Sequence, residues 1–364
     1  MKVLVWQWGR RGAGPRFAAH LAQAFRELPQ GDAALCLSAG AEILRGSDAP
    51  RCDLSLPIYD SVGELLWRAV RAPILVPALA RRVRQLDVDL AVCAMPAPLD
   101  LLSLAAMHRA KLPVAVVVHD ADRHPGDVYP LLFALQRRFV RGADAVVTLS
   151  GHVAARLRAQ GVVRSGVPLV SATHPPFVFG PASPTFAHGG PIRVLSFGRL
   201  LPYKGLDLLA DALRRLGPRS DMHVRVVGQG PESPALAALR TLSGVAVENR
   251  WVPETELRSL ITWADMLVLS YTESSQSGPA AAALAAGRLV LATRVGGLPE
   301  QLGGEPLATL CDPDAKSLAA ALARLLETPP AALPRAVDAA AAWRHFAQRV
   351  LEVTHPLRSQ RPGS

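Results

Sequence analysis

The sequence has few cysteines, few aromatic residues and no long apolar run. Its four cysteines are scattered over 364 residues and form no CxxC pair, which argues against a zinc site and against a disulfide framework. The longest apolar stretches, such as residues 72–80, fall short of the roughly 18 residues that a membrane-spanning helix needs. No signal peptide is evident, because Arg10 and Arg11 interrupt the apolar start. We therefore expect a cytoplasmic protein in a reducing compartment.

Charged residues are also scarce, at 19%, whereas half of the residues are hydrophobic. A chain of this length and composition can bury the cores of two ordinary domains. The net charge is +10: residues 1–180 hold 21 Lys and Arg against 14 Asp and Glu, and the remainder holds 19 against 16. A basic surface attracts phosphates, nucleic acid or anionic lipid. We expect no nucleic-acid partner, since the sequence has no aromatic–basic RNA motif and no recognition-helix signature.

Short β-branched runs alternate with amphipathic helical patterns along the whole chain. Apolar runs without polar alternation are typical of parallel strands that are covered on both faces. Strands are predicted at residues 3–6, 34–37, 90–93, 114–118 and 145–149, and again at 194–197, 224–227, 246–248, 266–269 and 290–292. Between the two series lies a Pro- and Gly-rich passage, residues 174–191, which we interpret as an interdomain linker.

Two successive α/β series predict an α/β protein with two Rossmann-like parallel-sheet domains. Such sheets bind ligands at the carboxyl ends of their strands, so the two domains are expected to face each other across a cleft. We place the first domain at 1–175 and the second at 190–345. Residues 346–364 are assigned to the end of a terminal helix and a frayed tail. The C-terminal helix is expected to cross back to the first domain.

The strongest functional signal follows the predicted strand at 194–197. Gly198 lets the chain turn, and Arg199 and Lys204 come next, near the start of a helix. Two fixed cations beside a helix N-terminus form a clamp that suits a diphosphate. For such a pair taken alone, the alternative is that both side chains are solvated on a loop and bind no ligand.

This segment closely resembles the second-domain signature of the group one GT-B glycosyltransferases. The resemblance extends through residues 226–232, 252–257, 265–271 and 294–300. It implies that the first domain binds the acceptor and that the second binds a nucleotide sugar. It also implies that Arg199 and Lys204 hold the donor diphosphate and stabilise it as it leaves. The other donor-binding candidates are Gly198, Gly228, Gly230, Val252, Glu273, Gln276, Ser277 and Gly278.

The donor loop departs from the family pattern. The family usually has two glutamates separated by seven residues, one that contacts the sugar and one that contacts the ribose. Here Glu273 lies near the first position, and the second position is Ala281 or Ala282. The ribose contact must therefore differ, or the pocket is altered. The backbone amides of Ser277 and Gly278 are expected to receive phosphate or sugar oxygens.

Two parts of the first domain carry further candidates. Gly12 and Gly14 lie in a glycine-rich turn that resembles the acceptor-side loop of the family, and a tight turn without a ligand is the alternative. His119 ends a buried strand. The resemblance implies that this histidine touches the donor sugar as part of the catalytic set, whereas a hydrogen-bonded structural histidine is the alternative.

The loop after that strand concentrates carboxylates and imidazoles. Asp120 is a candidate general base, which an inverting transferase would need, and His124 and Asp127 are candidates for the acceptor side. Asp120 and Asp122 also form a DxD pattern of the metal-binding kind. The resemblance implies that the two cations of the second domain replace a metal. We therefore expect no metal and no cofactor, with the nucleotide sugar as co-substrate.

Residues 65–84 contain five arginines and no acidic residue. Trp67 and aliphatic residues interleave with the arginines, and Pro73 and Pro77 divide the helical pattern. A basic amphipathic helix suits an anionic membrane surface and a lipid-linked acceptor, and a solvated arginine face is the alternative. The membrane hypothesis predicts a peripheral protein at the inner face of the cell membrane.

The sequence therefore predicts an enzyme, a hexosyltransferase that moves a sugar from a nucleotide-diphosphate donor to an acceptor hydroxyl. Assembly of a polysaccharide, such as an exopolysaccharide, or of a glycolipid is the expected setting. A sugar-nucleotide epimerase of the same fold is one alternative, because it would share the phosphate clamp but need no acceptor. A non-catalytic subunit of this fold is another, because the second glutamate is missing.

Overall fold

A computed structural model of the chain describes residues 1–46, 48–126, 130–180, 186, 188–328 and 337–359. The contacts between residues divide the chain into two compact units. The first comprises Met1–Arg123, Val128–Thr173 and Ala340–Ser364, and the second comprises His124–Asp127 and His174–Ala339. Each unit is built on one parallel sheet. The predicted pair of Rossmann-like domains is thus confirmed.

The first unit contains a seven-stranded sheet within the described residues. Its strands are β1 (Lys2–Gln7), β2 (Asp32–Ser38), β3 (Leu54–Leu56), β4 (Leu90–Cys93), β5 (Val114–Val118), β6 (Ala145–Thr148) and β7 (Leu169–Ser171), in the order β3-β2-β1-β4-β5-β6-β7. Its helices include α1 (Ala13–Arg26), α2 (Val62–Val70), α3 (Ala72–Gln85), α4 (Asp100–Arg109), α5 (Pro130–Gly142) and α6 (Gly151–Ala159). The central strands are almost wholly buried, as continuous apolar runs in a covered parallel sheet require.

The second unit contains a six-stranded sheet in its described part. Its strands are β8 (Ile192–Phe197), β9 (Met222–Gly228), β10 (Val245–Asn249), β11 (Met266–Leu269), β12 (Leu289–Thr293) and β13 (Ala308–Cys311), in the order β10-β9-β8-β11-β12-β13. Its helices are α7 (Leu206–Leu216), α8 (Pro234–Arg240), α9 (Glu254–Trp263), α10 (Gly278–Ala285), α11 (Leu298–Leu302) and α12 (Ala315–Glu327). A 3₁₀ turn, Pro202–Lys204, precedes α7.

The C-terminal helix α13 (Ala339–Ser359) belongs with the first unit. Its Trp343 and Phe346 pack edge-on against Phe17 of α1, with ring centroids 4.9 and 5.6 Å apart. Aromatic burial of this kind ties the end of the chain to the first sheet, so the chain crosses back as expected. Residues 340–345, which the sequence division assigns to the second domain, lie with the first unit for the same reason.

The short strands β3, β7 and β13 are the elements that the sequence pattern does not predict. Each has only three or four residues and is partly exposed, so its hydrophobic signal is weak. Over the part of the chain that the structure describes, no helix combines the length and the apolar composition needed to cross a membrane.

Candidate functional site

The candidate site lies in the second unit, at the carboxyl ends of β8, β9 and β11. β8 pairs in parallel with both β9 and β11, and the strand order reverses between β8 and β11. Such a reversal is where open α/β sheets bind their ligands, because the loops on its two sides diverge. The loops after β8 and β11 carry the predicted clamp and the predicted donor loop, so the topology brings these two segments together.

Two glycines, Gly228 and Gly230, allow the loops after β8 and β9 to touch. A Cβ at Gly228 would lie 1.6 Å from the carbonyl oxygen of Gly198, and one at Gly230 would lie 2.1 Å from that of Leu200. Gly198 and Leu200 donate their backbone N–H groups to residues of the β9 segment at 3.1 and 2.9 Å. Any side chain at these glycines would separate the loops. The predicted donor-site glycines thus have a demonstrable role in the approach of two backbones.

Lys204 ends the 3₁₀ turn and is only 8% exposed. Its Nζ donates a hydrogen bond of 2.6 Å to the hydroxyl of Tyr271, which follows β11. That hydroxyl also lies 3.3 Å from the Oγ of Ser277. Burial raises the pKa of Tyr271 well above its ordinary value, so the phenol stays protonated and can accept from Lys204 while it donates to Ser277. Tyr271 therefore fixes the direction of the Lys204 ammonium group.

Arg199 lies on the same loop and is exposed. Its guanidinium donates to the hydroxyl of Tyr203 at 3.2 Å, and its Cζ lies 5.5 Å from the centroid of that ring. The Nζ of Lys204 lies 5.1 Å from the same centroid. Both distances are within the range of cation–π attraction. The structure thus brings the two predicted cations together around one buried tyrosine.

His124 also lies in this site. Its ring stacks on Tyr203 with centroids 4.4 Å apart and planes at 18°, and its Nδ1 lies 3.7 Å from a carboxylate oxygen of Glu273. The sequence groups His124 with the acceptor side, whereas its contacts here are with donor-site candidates of the second unit. The physical reason is local packing: a Cβ at Gly126 would lie 3.0 Å from Pro202, so residues 124–126 rest on the 3₁₀ turn.

Ser277 and Gln301 hold the backbone where the donor loop meets the start of α10. Ser277 caps α10 by accepting from the N–H of Ala280 at 3.2 Å. Its own N–H donates to the Gln301 carboxamide oxygen at 2.7 Å, and its carbonyl accepts from the Gln301 nitrogen at 2.9 Å. In this arrangement Gln301 occupies the Ser277 amide, so a contact of that amide with a ligand oxygen stays a prediction. Gly278 begins α10 beside Phe177.

Gln276 gives this loop a polar group that is suited to a ligand. The Oε1 of Gln276 is buried and accepts no hydrogen bond from the described residues. Buried acceptors without a partner are rare and costly. The neighbouring Ser274 hydroxyl donates to the Gln276 carbonyl at 2.9 Å, which fixes the local backbone. A donor group on a bound molecule would satisfy the carboxamide oxygen.

Val252, Ala281 and Ala282 are buried, at 6%, 1% and 2% exposure. The side chain of Val252 belongs to the hydrophobic core of the second unit, so a ligand contact by this residue would involve its backbone. Neither alanine can supply the carboxylate that the family usually places near the ribose. The departure seen in the sequence is thus a real difference in the chemistry of this loop.

His119 lies in the interior of the first unit. Its Nε2 is 2.9 Å from the carbonyl oxygen of Ala94, and its ring packs edge-on against Phe17 at 4.8 Å. Burial lowers the pKa of His119 below its ordinary value, so the imidazole is neutral and can donate to that carbonyl. These contacts match the structural alternative. Contact with a sugar stays a prediction for His119, and Asp120, which follows it, is half-buried.

The other first-domain candidates have structural partners. Gly12 caps α1 with φ 80°, a conformation that favours glycine. A Cβ at Gly14 would lie 2.7 Å from the side chain of Gln7, so the turn wraps around that side chain. Asp122 accepts from Arg156 at 2.8 and 3.1 Å, and this contact holds the pKa of Asp122 below its usual value.

No group of three His, Cys, Asp or Glu side chains that could hold a metal ion occurs among the described residues. Asp127, the remaining acceptor-side candidate, lies outside the described residues.

Sequence reasoning missed three residues of the site: Tyr203, Tyr271 and Gln301. Tyr203 adjoins Lys204 in the sequence motif, so this adjacency could have identified it as a residue of the site. Tyr271 and Gln301 carry no local signal, because they act on partners 67 and 24 residues away.

Comparisons with known proteins agree with this geometry. Residues 191–328 match the family model described as "Glycosyl transferases group 1", and residues 16–171 match that described as "Glycosyltransferase Family 4". The putative colanic acid biosynthesis glycosyltransferase WcaL of Salmonella typhimurium is 27% identical over 58% of this chain and 54% of its own length. The GDP-mannose:glycolipid 4-beta-D-mannosyltransferase of Xanthomonas campestris pv. campestris is 33% identical over 28% of this chain and 30% of its own length. The chain thus spans about a third to a half of these relatives.

Solved structures share the whole fold at low identity. Anabaena Alr3699/HepE, in complex with UDP and glucose, aligns with a TM-score of 0.64 at 18% identity and covers 99% of this chain and 98% of its own. A UDP-GlcNAc 2-epimerase from Neisseria meningitidis, bound to UDP-GlcNAc, aligns with a TM-score of 0.60 at 12% identity, over 97% of this chain and 100% of its own. These likenesses show the GT-B fold.

Proposed function

This chain belongs to the group 1 glycosyltransferases of the GT-B fold, and we propose that it transfers a sugar from a nucleotide-diphosphate donor to an acceptor hydroxyl. The observation that carries the proposal is the convergence of Arg199 and Lys204 on the buried ring of Tyr203. The two cations stand at the carboxyl edge of the sheet, which is where open α/β sheets bind their ligands. Lys204 is held in place by Tyr271, so little reorganisation would accompany binding.

The chemistry that this arrangement supports is stabilisation of a leaving nucleoside diphosphate. When the bond between the sugar and the diphosphate breaks, negative charge grows on the phosphate oxygens. Fixed cations in a partly buried site stabilise that charge more than water does, because they do not have to reorient. Arg199 would supply a fork of donors and Lys204 a point charge. In this proposal the two cations neutralise the diphosphate, and no metal or cofactor takes part.

We propose a hexosyl donor and an acceptor in polysaccharide or glycolipid assembly. Support comes from the relatives: a mannosyl donor and a glycolipid acceptor appear in the name of one, colanic acid in that of another, and UDP with glucose in a structural neighbour. The carboxylate of Glu273 and the buried oxygen of Gln276 are the hydrogen-bond acceptors that we assign to sugar or ribose hydroxyls.

The first experiment identifies the donor and then tests the clamp. Thermal shift with UDP, GDP and ADP sugars finds the nucleotide, since a ligand at a hundred times its Kd adds about 2.7 kcal/mol to the free energy of unfolding. Arg199→Ala and Lys204→Ala should each lower turnover by roughly a hundredfold or more, as the loss of one transition-state donor does. Arg215→Ala, at an exposed position in the last turn of α7, is the matched control. Full turnover in both clamp variants would refute the proposal.

Product analysis separates transfer from the two alternatives. A sugar-nucleotide epimerase has the same fold and would convert the donor without any acceptor. Ala281 and Ala282 at the second glutamate position favour the alternative of a non-catalytic subunit. Such a subunit would bind the donor without turnover. Transfer of sugar to an acceptor by the purified chain would exclude both.

We further propose that the first unit docks on an anionic membrane surface and takes its acceptor there. Helix α2 has no buried residue. Its outward side chains are apolar and exposed, as is one in α3: Val62 69%, Leu66 63%, Trp67 59%, Val70 72% and Ile74 63%. Most of this set repeats at four-residue intervals and so forms one stripe along the helical surface, while Leu65 turns inward to the core. We call this set the apolar stripe.

Arginines flank the apolar stripe. Arg71 follows α2 and lies 5.8 Å from the Trp67 ring. Arg81, Arg82 and Arg84 are exposed on the second half of α3. Apolar side chains that insert and arginines that meet anionic headgroups are the two features of an interfacial helix. An ordinary solvated helix would not leave a tryptophan and four aliphatic side chains exposed together.

A further inference from the structure

The imidazole of His124 connects the two halves of the donor site in the second unit. One face of its ring covers Tyr203, the residue around which Arg199 and Lys204 converge. Its Nδ1 lies 3.7 Å from Glu273, which is longer than a hydrogen bond but within ion-pair distance. His124 is 8% exposed, so it is held in this position. A change in its ring would therefore affect both the pair of cations around Tyr203 and the Glu273 carboxylate.

The chain around His124 explains why the ring stays there. Residues 124–126 rest on the 3₁₀ turn, since a Cβ at Gly126 would lie only 3.0 Å from Pro202. Gly126 has φ 97°, which favours glycine. The 3₁₀ turn in turn contacts the segment after β11, where Thr272 donates its N–H to the Tyr203 carbonyl at 2.9 Å. His124 thus covers a turn that is already tied to the donor loop.

We infer that His124 is a positioning residue of the donor site, which orients the Glu273 carboxylate toward the transferred sugar and supports Tyr203 beneath the diphosphate-binding cations. The inference rests on the proposed function, since it assigns the sugar to Glu273 and the diphosphate to the clamp. The stacked ring provides the support, and the ring nitrogen provides the electrostatic partner of the carboxylate. Groups that act through each other in this way respond non-additively to substitution.

The test separates the ring from its nitrogen. His124→Phe retains an aromatic ring to stack on Tyr203 and removes the nitrogen, whereas His124→Ala removes both. Glu273→Gln keeps the shape of the carboxylate and removes its charge. His188→Phe is the matched control, because His188 pairs with Asp265 at 2.8 Å in the same unit and lies outside the donor loops. Each variant is assayed for kcat/KM and, by calorimetry, for binding of UDP and GDP with and without their sugars.

We expect His124→Phe and Glu273→Gln each to lower kcat/KM by roughly tenfold, and the double variant to be little worse than either single one. Both should reduce the extra affinity that the sugar adds to the nucleotide, while binding of UDP or GDP itself changes by less than about threefold. His124→Ala should weaken nucleotide binding as well, because Tyr203 loses its cover. His188→Phe should leave the ratio of sugar-nucleotide to nucleotide affinity unchanged.

Two failures are distinguishable. A wild-type chain that binds no nucleotide sugar and transfers none would refute the proposed function itself. A wild-type chain that transfers sugar, combined with additive losses in the double variant or with an unchanged sugar contribution in His124→Phe, would overturn the positioning role alone. A parallel fall in thermal stability and in all affinities for His124→Phe would also overturn it, since that pattern indicates a structural residue.

Discussion

Replacing the arginines of α3 should weaken binding of the protein to anionic membranes, and the change in binding free energy can be calculated. Arg81, Arg82 and Arg84 are exposed, and each arginine near an anionic surface contributes about 1 kcal/mol of attraction. Replacing all three with Gln should therefore weaken partition by about 3 kcal/mol, or roughly 150-fold. Because this contribution is electrostatic, 1 M salt should abolish the difference, as the Debye length shortens to about 3 Å.

The apolar stripe should contribute a part that salt does not screen. Leu66 and Trp67 are 63% and 59% exposed, and full burial of a large apolar side chain stabilises by about 1.5–3 kcal/mol. Their insertion is therefore worth about 1–2 kcal/mol each. A variant with Leu66→Ser and Trp67→Ser should bind more weakly at every salt concentration, whereas the arginine variant should lose only its salt-sensitive part.

Sedimentation with vesicles of neutral lipid, with and without anionic lipid, measures both contributions. The control carries Arg214→Gln, Arg215→Gln and Arg240→Gln, which remove the same charge from the second unit. With a lipid-linked acceptor, the α3 variant should transfer sugar more slowly and yet hydrolyse the donor at the normal rate. Equal recovery on neutral and anionic vesicles, or an equal loss in the control, would refute the membrane proposal. The arginines would then be an ordinary solvated face.

Three further substitutions test individual contacts. Tyr271→Phe removes the hydroxyl that accepts from the buried Lys204, and because a hydrogen bond to a charged group is worth about 1.5–3 kcal/mol, it should lower the free energy of unfolding by about that amount and kcat/KM about tenfold or more; normal turnover would contradict this role. His119→Ala should lower the free energy of unfolding by about 2 kcal/mol or more, because it opens space beside Phe17 and leaves the Ala94 carbonyl without its donor. Lost activity at an unchanged Tm would contradict this structural role and support a contact between His119 and the sugar. Burial raises the pKa of Asp100 to about 7, so the native state keeps a proton that the unfolded chain loses near its ordinary pKa. Stability from this group is present at low pH and should fall by about 1.4 kcal/mol per pH unit between about pH 4 and pH 7, and Asp100→Asn should flatten that slope in urea titrations.

Local patterns in the sequence were sufficient for the fold and for selecting Arg199 and Lys204 as candidates that the structure brings together. The apolar runs predict the central strands, because a parallel strand covered on both faces has few other compositions open to it. Arg199 and Lys204 could be identified because they lie five residues apart, in one loop between one strand and one helix. A motif that is complete within a single loop can be recognised without knowledge of the partners of that loop.

Only the tertiary structure decided which histidine meets the other candidates of the second unit. His119 and His124 are separated by five positions, and by sequence alone the first was the better candidate for a sugar contact. The fold buries His119 against Phe17 and Ala94 and brings His124 to Tyr203 and Glu273. Likewise, Tyr271 meets Lys204 across 67 residues of chain, because β8 and β11 are adjacent strands in the sheet. Such pairings depend on strand order and on where a loop comes to rest, and neither is encoded in any local pattern.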